Sequence, residues 1–287
     1  MKPIIELKGV SYLYGKGTPF EKKALNDVSC TFEKGKITGL IGHTGSGKST
    51  LVSLLNGLIK ADTGEIFLNG ENIWKNPKEI RNIRFKVGVV MQYPEYQLFD
   101  ETVRLDIGFG PRNMGLDKEE IEKRVAEAAA FAGLSEDILD KSPFELSGGQ
   151  KRRVAIAGVI AMGPDILVLD EPAAGLDPRG RREILSGLRA YAEGKDASVI
   201  LVSHSMEDMA YYCDNVVVMN DGEIYSSGTV SEIFSSAESL SSVGLNVPSI
   251  SRIATLLKNK GIELSGELYT VDGMKQAIIK YLGGERK

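Results

Sequence analysis

Long apolar runs are missing from this sequence. No segment reaches the ~18 consecutive apolar residues that a membrane-spanning helix needs, and the most apolar window, VAIAGVIAMG at 154–163, stops at Pro164. The opening residues, MKPIIELKG, lack the apolar core of a signal peptide. We therefore expect that any role at a membrane depends on a partner that spans it.

Cysteine and an excess of basic charge are also missing. The two cysteines, Cys30 and Cys213, are far apart and form no metal-binding or redox spacing, which predicts reduced, buried thiols in a cytosolic protein. The net charge is −4, so no broad basic surface for nucleic acid is expected. The 287 residues, 42% of them hydrophobic, are typical of a soluble chain with one large domain and an appendage, or two modest domains.

The hydrophobic patterns predict an α/β fold. Alternation over 4–13 and 25–41 predicts antiparallel strands in an N-terminal β subdomain. The runs KVGVVMQ, DILVLDE and SVILVSH are rich in Val, Ile and Leu, which predicts a mainly parallel core sheet. Residues 101–163 are largely helical in pattern, with a glycine stop at Gly133, and indicate a helical subdomain inserted in the sheet domain.

The pattern changes after Gly228. A Ser-rich segment, SEIFSSAESLSS, precedes two amphipathic segments at 249–259 and 271–282. Helical spacing in the second segment places five residues on one face: Met274, Ala277, Ile278, Tyr281 and Leu282. Because two short helices cannot bury a core alone, we expect this C-terminal extension to dock on the main domain or on another subunit.

A phosphate-binding loop is predicted at 42–50. GHTGSGKST fits G-x-x-x-x-G-K-[ST] between a predicted strand and a predicted helix, the context that the motif requires; an accidental glycine-rich turn is the alternative. Backbone N–H groups would surround phosphates, Lys48 would reach the β- and γ-phosphates, and Ser49 would bind Mg²⁺. The nucleotide-binding residues predicted here are Gly42, His43, Thr44, Gly45, Ser46, Gly47, Lys48, Ser49 and Thr50.

Polar residues end the three buried strands. Asp170 is costly to bury unless it meets a cation, here Mg²⁺ through water, and Glu171 beside it is predicted to be the general base. His204 ends the SVILVSH strand and Gln92 ends KVGVVMQ, so both are expected near the same phosphates. Gln92 is a candidate ligand of Mg²⁺ or of the attacking water. A loop start for the two acids and a surface role for the histidine are the alternatives.

A second glycine-rich helix start, ELSGGQ, lies at 145–150. Ser147 and Gln150 match a capping box, but Gly148 and Gly149 then fall in the first helical turn, where each costs up to about 1 kcal/mol relative to alanine. Capping explains the serine and the glutamine but not the glycines. Bare N–H groups at a helix start attract anions, which indicates a second phosphate-contacting surface.

The order of these motifs, followed by GLD at 175–177, resembles that of the ATP-binding-cassette ATPases over about residues 4–228. The resemblance implies ATP hydrolysis with Mg²⁺ by two cassettes packed head to tail. It implies that the signature segment (residues 147–150) contacts the γ-phosphate held by the other subunit's P-loop, and that Asp177 bridges the halves. Tyr14 resembles the aromatic residue that stacks on adenine, with Tyr12 as a competitor, and Ala173 replaces a usual threonine.

A narrower similarity is to the ATPases of energy-coupling factor transporters, A2 type. It rests on MQYPEYQLFDETV, FGPRNMGL, AIAGVIAMGPDILVLDEPAAGLDPRGR, the insertion GKGTPFEKKALNDVS and the C-terminal extension. It implies a peripheral subunit at the cytoplasmic face of the cell membrane, with a cassette at 1–228 and a docking extension at 229–287. The implied partners are a sister ATPase, identical or paralogous, a transmembrane T-component and, indirectly, S-components that choose the vitamin or metal ion.

Two other functions stay open. A cassette ATPase acting on ribosomes or DNA would need tandem cassettes or coiled-coil insertions, neither of which this acidic sequence has. A regulatory module that binds nucleotide without turnover is not favoured, because Lys48, Glu171 and His204 are all present.

Overall fold

The computed structural model describes residues 3–235 and 237–284, and within them the chain forms two β-sheets covered by helices. The first sheet is antiparallel, in the order β2-β1-β4-β5. Its strands are Pro3–Tyr14 (β1), Lys22–Glu33 (β2), Thr63–Leu68 (β4) and Glu71–Asn72 (β5). This is the predicted N-terminal β subdomain.

The second sheet has the order β10-β9-β3-β8-β7-β6 and is parallel except for the β9–β10 pair. Its strands are Ile37–Gly42 (β3), Val87–Val90 (β6), Ile166–Asp170 (β7), Ser198–Val202 (β8), Asn215–Asn220 (β9) and Glu223–Thr229 (β10). Every residue of β3, β7 and β8 is buried, as expected for strands covered on both faces. The mainly parallel core sheet is confirmed.

The predicted strand region 25–41 is two strands in different sheets. The chain turns at Gly35, whose φ of +69° is readily adopted by glycine, after β2 ends and before β3 begins. The expectation that all of 25–41 is antiparallel was therefore wrong for 37–41. The turn lies in the polar segment Glu-Lys-Gly-Lys at 33–36, but apolar residues continue on both sides of it, and the sequence analysis took the two strands as one pattern.

Helices connect the strands and continue beyond the last of them. They are Lys48–Leu55 (α1), Ile80–Lys86 (α2), Val103–Asn113 (α3), Lys118–Phe131 (α4), Glu136–Leu139 (α5), Gly148–Ile160 (α6), Pro178–Lys195 (α7), Met206–Tyr212 (α8), Val230–Ser235 (α9), Ala237–Ser242 (α10), Ser249–Asn259 (α11) and Val271–Gly284 (α12). Short 3₁₀ turns occupy Pro77–Glu79, Pro94–Gln97 and Pro143–Glu145. No helix in the described ranges is long and apolar enough to cross a membrane.

Helices α3 to α6 form the inserted helical subdomain. The best predicted of them, α4, begins after the N-cap Asp117, whose side chain accepts a hydrogen bond from the Glu120 N–H, and it is followed by Gly133 at φ +66°. These are the ordinary start and stop signals of a helix. The subdomain packs onto the central sheet through one continuous apolar core.

The Ser-rich segment after Gly228 belongs to the predicted C-terminal helical extension, and it carries helices α9 and α10, which the sequence analysis did not name individually. Phe234 and Leu240 on these helices, with Leu245 and Val247 in the following loop, are buried in the same core as the central sheet. Met274 and Ala277 of α12 are buried as well. On the outer side, Leu256 of α11 and Leu282 of α12 are about 60% exposed, at 62% and 59%.

The carboxyl ends of the parallel strands meet at one edge of the central sheet. Strand β3 lies between β8 and β9: the chain passes from β3 to β6 on one side, returns through β7 to β8, and then crosses β3 to reach β9 on its other side. Ligands of open α/β sheets bind at such a point.

Both cysteines are free thiols, Cys213 buried as predicted and Cys30 only half-buried.

Candidate functional site

The loop at 42–50 and three predicted strand-end residues, Asp170, Glu171 and His204, converge at this edge. Residues 42–50 link β3 to α1, Asp170 ends β7, and His204 follows β8. The register pairs β3 with β8 and β8 with β7, which brings segments distant in sequence side by side. The fold therefore places the loop, the carboxylates and the histidine together.

The P-loop backbone (residues 42–50) has the shape of a phosphate cradle. Gly47, the N-cap of α1, has φ +101°, and Gly45 has φ +86°, a region that side chains disfavour. A Cβ on Gly47 would also lie 2.7 Å from both the Ala24 carbonyl oxygen and Leu25 Cδ2. A residue other than glycine at position 47 would therefore strain this turn.

Lys48 points back over the loop. Its ammonium donates hydrogen bonds to the carbonyl oxygens of Gly42 and His43, at 2.7 and 2.9 Å, and the side chain is buried. Burial lowers the pKa of this ammonium, and the charges of Asp170 and Glu171 oppose that effect. A buried cation at a loop of N–H groups is suited to hold an anion.

Ser49 and Asp170 are in direct contact. The Ser49 hydroxyl donates a hydrogen bond to Asp170 Oδ2 at 3.1 Å, and burial raises the pKa of Asp170 against the opposing effect of this bond. A hydroxyl and a carboxylate are the oxygen donors that Mg²⁺ prefers. The pair therefore fits a magnesium ion, although no cluster of three His, Cys, Asp or Glu in the described ranges does.

Glu171 is strained and incompletely bonded. Its φ is +53°, which is rare for a residue other than glycine and common at functional sites. Its buried Oε1 has no hydrogen-bond partner in the described structure, since His204 Nε2 lies 3.7 Å away, too far for one. Burial raises the pKa of this carboxyl. An unpaired carboxylate oxygen beside a phosphate cradle is suited to accept a proton from water.

Gln92 lies at the same edge but is not drawn into these contacts. It is exposed, two residues beyond the pairing of Val90 with Leu169, and its side chain makes no hydrogen bond with the described residues. The sequence analysis missed Asn220, which ends β9 and whose Oδ1 lies 3.0 Å from His43 Nε2. The polar residue after the buried run VVVM was the available signal.

Of the two candidate adenine-stacking tyrosines, only Tyr14 has a free face. Tyr14 is 46% exposed and its hydroxyl is 3.4 Å from Thr50 Oγ1. Tyr12 packs against the core and meets the Tyr14 ring edge-on, with ring centroids 4.9 Å apart. The position beside the P-loop favours Tyr14 as the residue that contacts a base.

The signature segment lies at the exposed start of α6, away from the P-loop contacts of its own chain. Ser147 and Gln150 form the expected capping box, with the Ser147 N–H donating to Gln150 Oε1 at 3.0 Å and the Gln150 N–H donating to Ser147 Oγ at 3.3 Å. A Cβ on Gly148 would meet nothing within 4 Å. Among residues 3–235 and 237–284, no contact requires a glycine there.

Asp177 acts first as a cap. It is exposed, and its Oδ1 accepts a hydrogen bond from the Gly180 N–H at 2.7 Å at the start of α7. The other carboxylate oxygen is available to a partner. Ala173 is partly buried against the core.

Comparison with known proteins agrees with this site. The family model described as "ABC transporter" matches residues 25–174. The energy-coupling factor transporter ATP-binding protein EcfA2 of Caldanaerobacter subterraneus subsp. tengcongensis is 49% identical over 282 residues, covering 98% of this chain and 99% of that protein.

Solved structures are similar over most of the chain. CbiO1 from Clostridium perfringens, part of the ABC transporter complex cbiONQ, has a TM-score of 0.74 and 38% identity, covering 88% of this chain and 99% of that one. The ATP-binding cassette MJ0796, in a dimeric post-hydrolysis state bound to ADP and Pi, has a TM-score of 0.72 and 28% identity, covering 79% and 98%.

Proposed function

This chain belongs to the ABC transporter family and, within it, to the energy-coupling factor transporter ATP-binding proteins, and we propose from that premise that it is the ATP-hydrolysing subunit of an importer. The observation that carries the proposal is the convergence of Lys48, Ser49, Asp170 and Glu171 at one sheet edge. It supplies a phosphate cradle, a cation site and a base in one place.

Hydrolysis follows from the position of Glu171. A water molecule held at Oε1 gives its proton to the carboxylate as its oxygen attacks the γ-phosphorus. The bond from that phosphorus to the bridging oxygen breaks, and ADP leaves with the electron pair. Lys48 stabilises the charge that develops on the γ-phosphate, and His204 lies close enough to orient the water or the γ-phosphate.

Magnesium completes the proposed site. Ser49 would bind it directly, Asp170 through water, and Gln92 from the loop after β6. When bound, Mg²⁺ would neutralise phosphate charge. Tyr14 would stack on adenine, and the remaining residues of 42–50 would surround the phosphates.

The substitution Glu171→Gln tests the function in the assembled transporter. ATP affinity should stay unchanged, because Gln preserves the shape, while hydrolysis and uptake should fall by about 10²–10⁴-fold without the base. The control is Glu193→Gln on the exposed end of α7. Normal turnover in Glu171→Gln would show that the base lies elsewhere. Full ATPase activity of the wild-type complex without any ATP-driven uptake would favour the alternative of a non-transport ATPase.

The open space at Gly148 supports a dimer. Ser147, Gly148, Gly149 and Gln150 would contact the γ-phosphate of a sister ATPase, and Asp177 would bridge the halves. The sister is a paralogue in our proposal, with an identical copy as the alternative. MJ0796, at 28% identity, is dimeric in its post-hydrolysis state.

The C-terminal extension (residues 229–287) is proposed to strengthen this pairing, with 1–228 as the cassette. Ile253 and Leu256 on α11 are 46% and 62% exposed, and Ile279 on α12 is 55% exposed. Removing such apolar surface from water favours association. The substitution Leu256→Ser should weaken dimerisation in sedimentation experiments, whereas Leu58→Ser, a matched exposed leucine on the cassette, should not.

The membrane partner is proposed to dock on the aromatic segment (residues 93–99). Tyr96 is 84% exposed, and the Phe99 ring meets Phe109 edge-on with centroids 4.9 Å apart. Leu98 packs against the core instead. An exposed apolar patch marks an interaction surface, here for a helix of a transmembrane T-component.

In this proposal the chain is peripheral, at the cytoplasmic face of the cell membrane. S-components that the T-component contacts would select the vitamin or metal ion. Tyr96→Ser should keep ATP affinity and lower uptake per ATP, measured as transport and ATPase rates in the same vesicles. Unchanged uptake per ATP would place the docking surface elsewhere.

A further inference from the structure

A buried ion pair joins the aromatic segment to the helix that carries the signature segment. Arg152 lies on α6 and Glu95 lies in the 3₁₀ turn Pro94–Gln97. Arg152 donates two hydrogen bonds to the carboxylate, from Nε to Oε2 at 3.1 Å and from Nη2 to Oε1 at 2.9 Å. The two side chains are only 6% and 17% exposed.

The chemistry of this pair favours a positioning role. A buried ion pair adds little stability over an apolar pair of the same volume, because the loss of hydration offsets the attraction between the charges. Two parallel hydrogen bonds between a planar guanidinium and a carboxylate, however, fix direction as well as distance. Moving Glu95 therefore either moves Arg152 or leaves a charge buried without its partner.

Arg152 also adjoins a third element, the loop at 173–177. Its Nη1 would lie 3.9 Å from a Cβ on Gly175, two residues before Asp177. A Cβ on Gly149 would lie 3.4 Å from Leu176 Cδ2. The start of α6 and the loop that leads to Asp177 are thus in contact around this arginine.

The segment that holds Glu95 is exposed on its other side. Tyr93 and Phe99 are 52% and 57% exposed, and the segment directly follows Gln92. Its far end is held by the buried Asp106 of α3, which accepts hydrogen bonds from the N–H groups of Phe99 and Asp100, both at 3.1 Å. A force on the exposed face therefore reaches the helical subdomain at two points, at α3 through Asp106 and directly at the signature helix through the ion pair of Glu95 with Arg152.

We propose that Arg152 and Glu95 are a positioning pair through which displacement of the aromatic segment repositions the signature segment and the 173–177 loop against the opposed nucleotide. The inference rests on the proposed function, because the membrane partner supplies the displacement. Neither residue is among those proposed to bind the nucleotide of its own subunit.

The test uses the complete transporter in vesicles, with the substitutions Arg152→Lys, Glu95→Gln, and Arg152→Met combined with Glu95→Gln. Lysine keeps the charge but loses the two-point geometry. The double variant removes both charges together, so no charge is left buried alone. Arg104→Lys is the control, because Arg104 pairs with Glu122 and Asp140 inside the helical subdomain. The measurements are thermal stability, KM and kcat for ATP, and uptake per ATP hydrolysed.

In the double variant we expect wild-type thermal stability and an unchanged KM, but a fall of about tenfold in uptake per ATP. The uptake per ATP of Arg152→Lys should lie between the values of the double variant and the wild type, and that of Arg104→Lys should match the wild type. Normal uptake per ATP in a stable double variant would overturn the proposal. If the double variant does not fold, the uptake per ATP of the conservative Arg152→Lys and Glu95→Gln variants decides in the same way.

A wild-type complex that hydrolyses ATP without any uptake contradicts the proposed function rather than the pair. The pair is then judged on the ATPase dimer alone. There, kcat for ATP should fall in the double variant with KM unchanged, because the signature segment is no longer positioned by the ion pair, and an unchanged kcat would overturn the positioning role.

Discussion

The chain contains two glycine-rich helix starts, and they differ in what surrounds them. At the P-loop, Gly47 has a left-handed backbone and atoms 2.7 Å from where a side chain would begin. At the signature segment, Gly148 is exposed, lies in an ordinary helical turn and has nothing within 4 Å of that position. The described part of the chain requires glycine at position 47 and does not require it at position 148.

This difference shows which surface is complete. The P-loop already holds its lysine, its serine and a neighbouring carboxylate. In the signature segment, a capping box already satisfies N–H groups at the start of the helix. The segment nevertheless has glycine at an exposed position, Gly148, where a side chain would fit. A residue choice that costs helix stability without an internal contact points to a contact made with another molecule.

The largest effect should come from Gly148→Asp. An aspartate there would repel the γ-phosphate of the opposed subunit, so turnover at that site should fall by about 10²-fold or more, while nucleotide affinity of the same chain stays unchanged. Dimers with one substituted subunit measure which site fails. A defect in the substituted subunit's own site would contradict the contrast between the two helix starts.

Lys48→Ala should have the next largest effect. A buried cation that bonds phosphate is lost, and hydrogen bonds to charged groups contribute about 1.5–3 kcal/mol, so nucleotide affinity should fall by roughly 10- to 100-fold. Titration of nucleotide into the isolated subunit measures this. Lys60→Ala, in the loop beyond α1, is the control, and equal affinities in the two variants would refute the P-loop assignment.

The matched pair Gly47→Ala and Gly148→Ala separates the two starts by stability. Gly47→Ala forces a side chain into a left-handed turn and should destabilise the fold by about 1–3 kcal/mol. Gly148→Ala replaces glycine in an exposed helical turn and should stabilise it by up to about 1 kcal/mol. Denaturant unfolding compares them. The same sign for both would mean that Gly148 is constrained within its own chain after all.

The smallest effect concerns the charge buried at the completed site. Burial raises the pKa of Glu171 in the folded chain, so the folded state binds the proton more tightly and stability falls as pH rises from the unfolded pKa through the folded one. Without nucleotide, Glu171→Gln should therefore melt slightly higher than wild type at about pH 8, and the gap should close towards about pH 4. Differential scanning calorimetry of both proteins at both pH values checks this. A melting temperature of Glu171→Gln below that of the wild type at the higher pH would contradict it.

The sequence predicted the site best where chemistry depends on neighbours along the chain. The loop at 42–50, Asp170 and Glu171 follow short apolar runs that are typical of buried strands, and polar residues at the carboxyl ends of parallel strands share one edge. The same rule, applied to β9, would have found Asn220. The sequence analysis was wrong at 25–41, where it relied on apolar alternation. A turn at Gly35 places the two parts of this segment in different sheets.

By itself the sequence determined the phosphate loop, the parallel core and the capped start of α6, because each depends on the spacing of a few consecutive residues. Only the tertiary structure decided that Tyr14 rather than Tyr12 is open beside Thr50, that Asn220 meets His43, and that Arg152 holds Glu95. Those contacts join residues far apart in the chain. Their partners are chosen by how sheets and helices pack, which no local pattern of residues specifies.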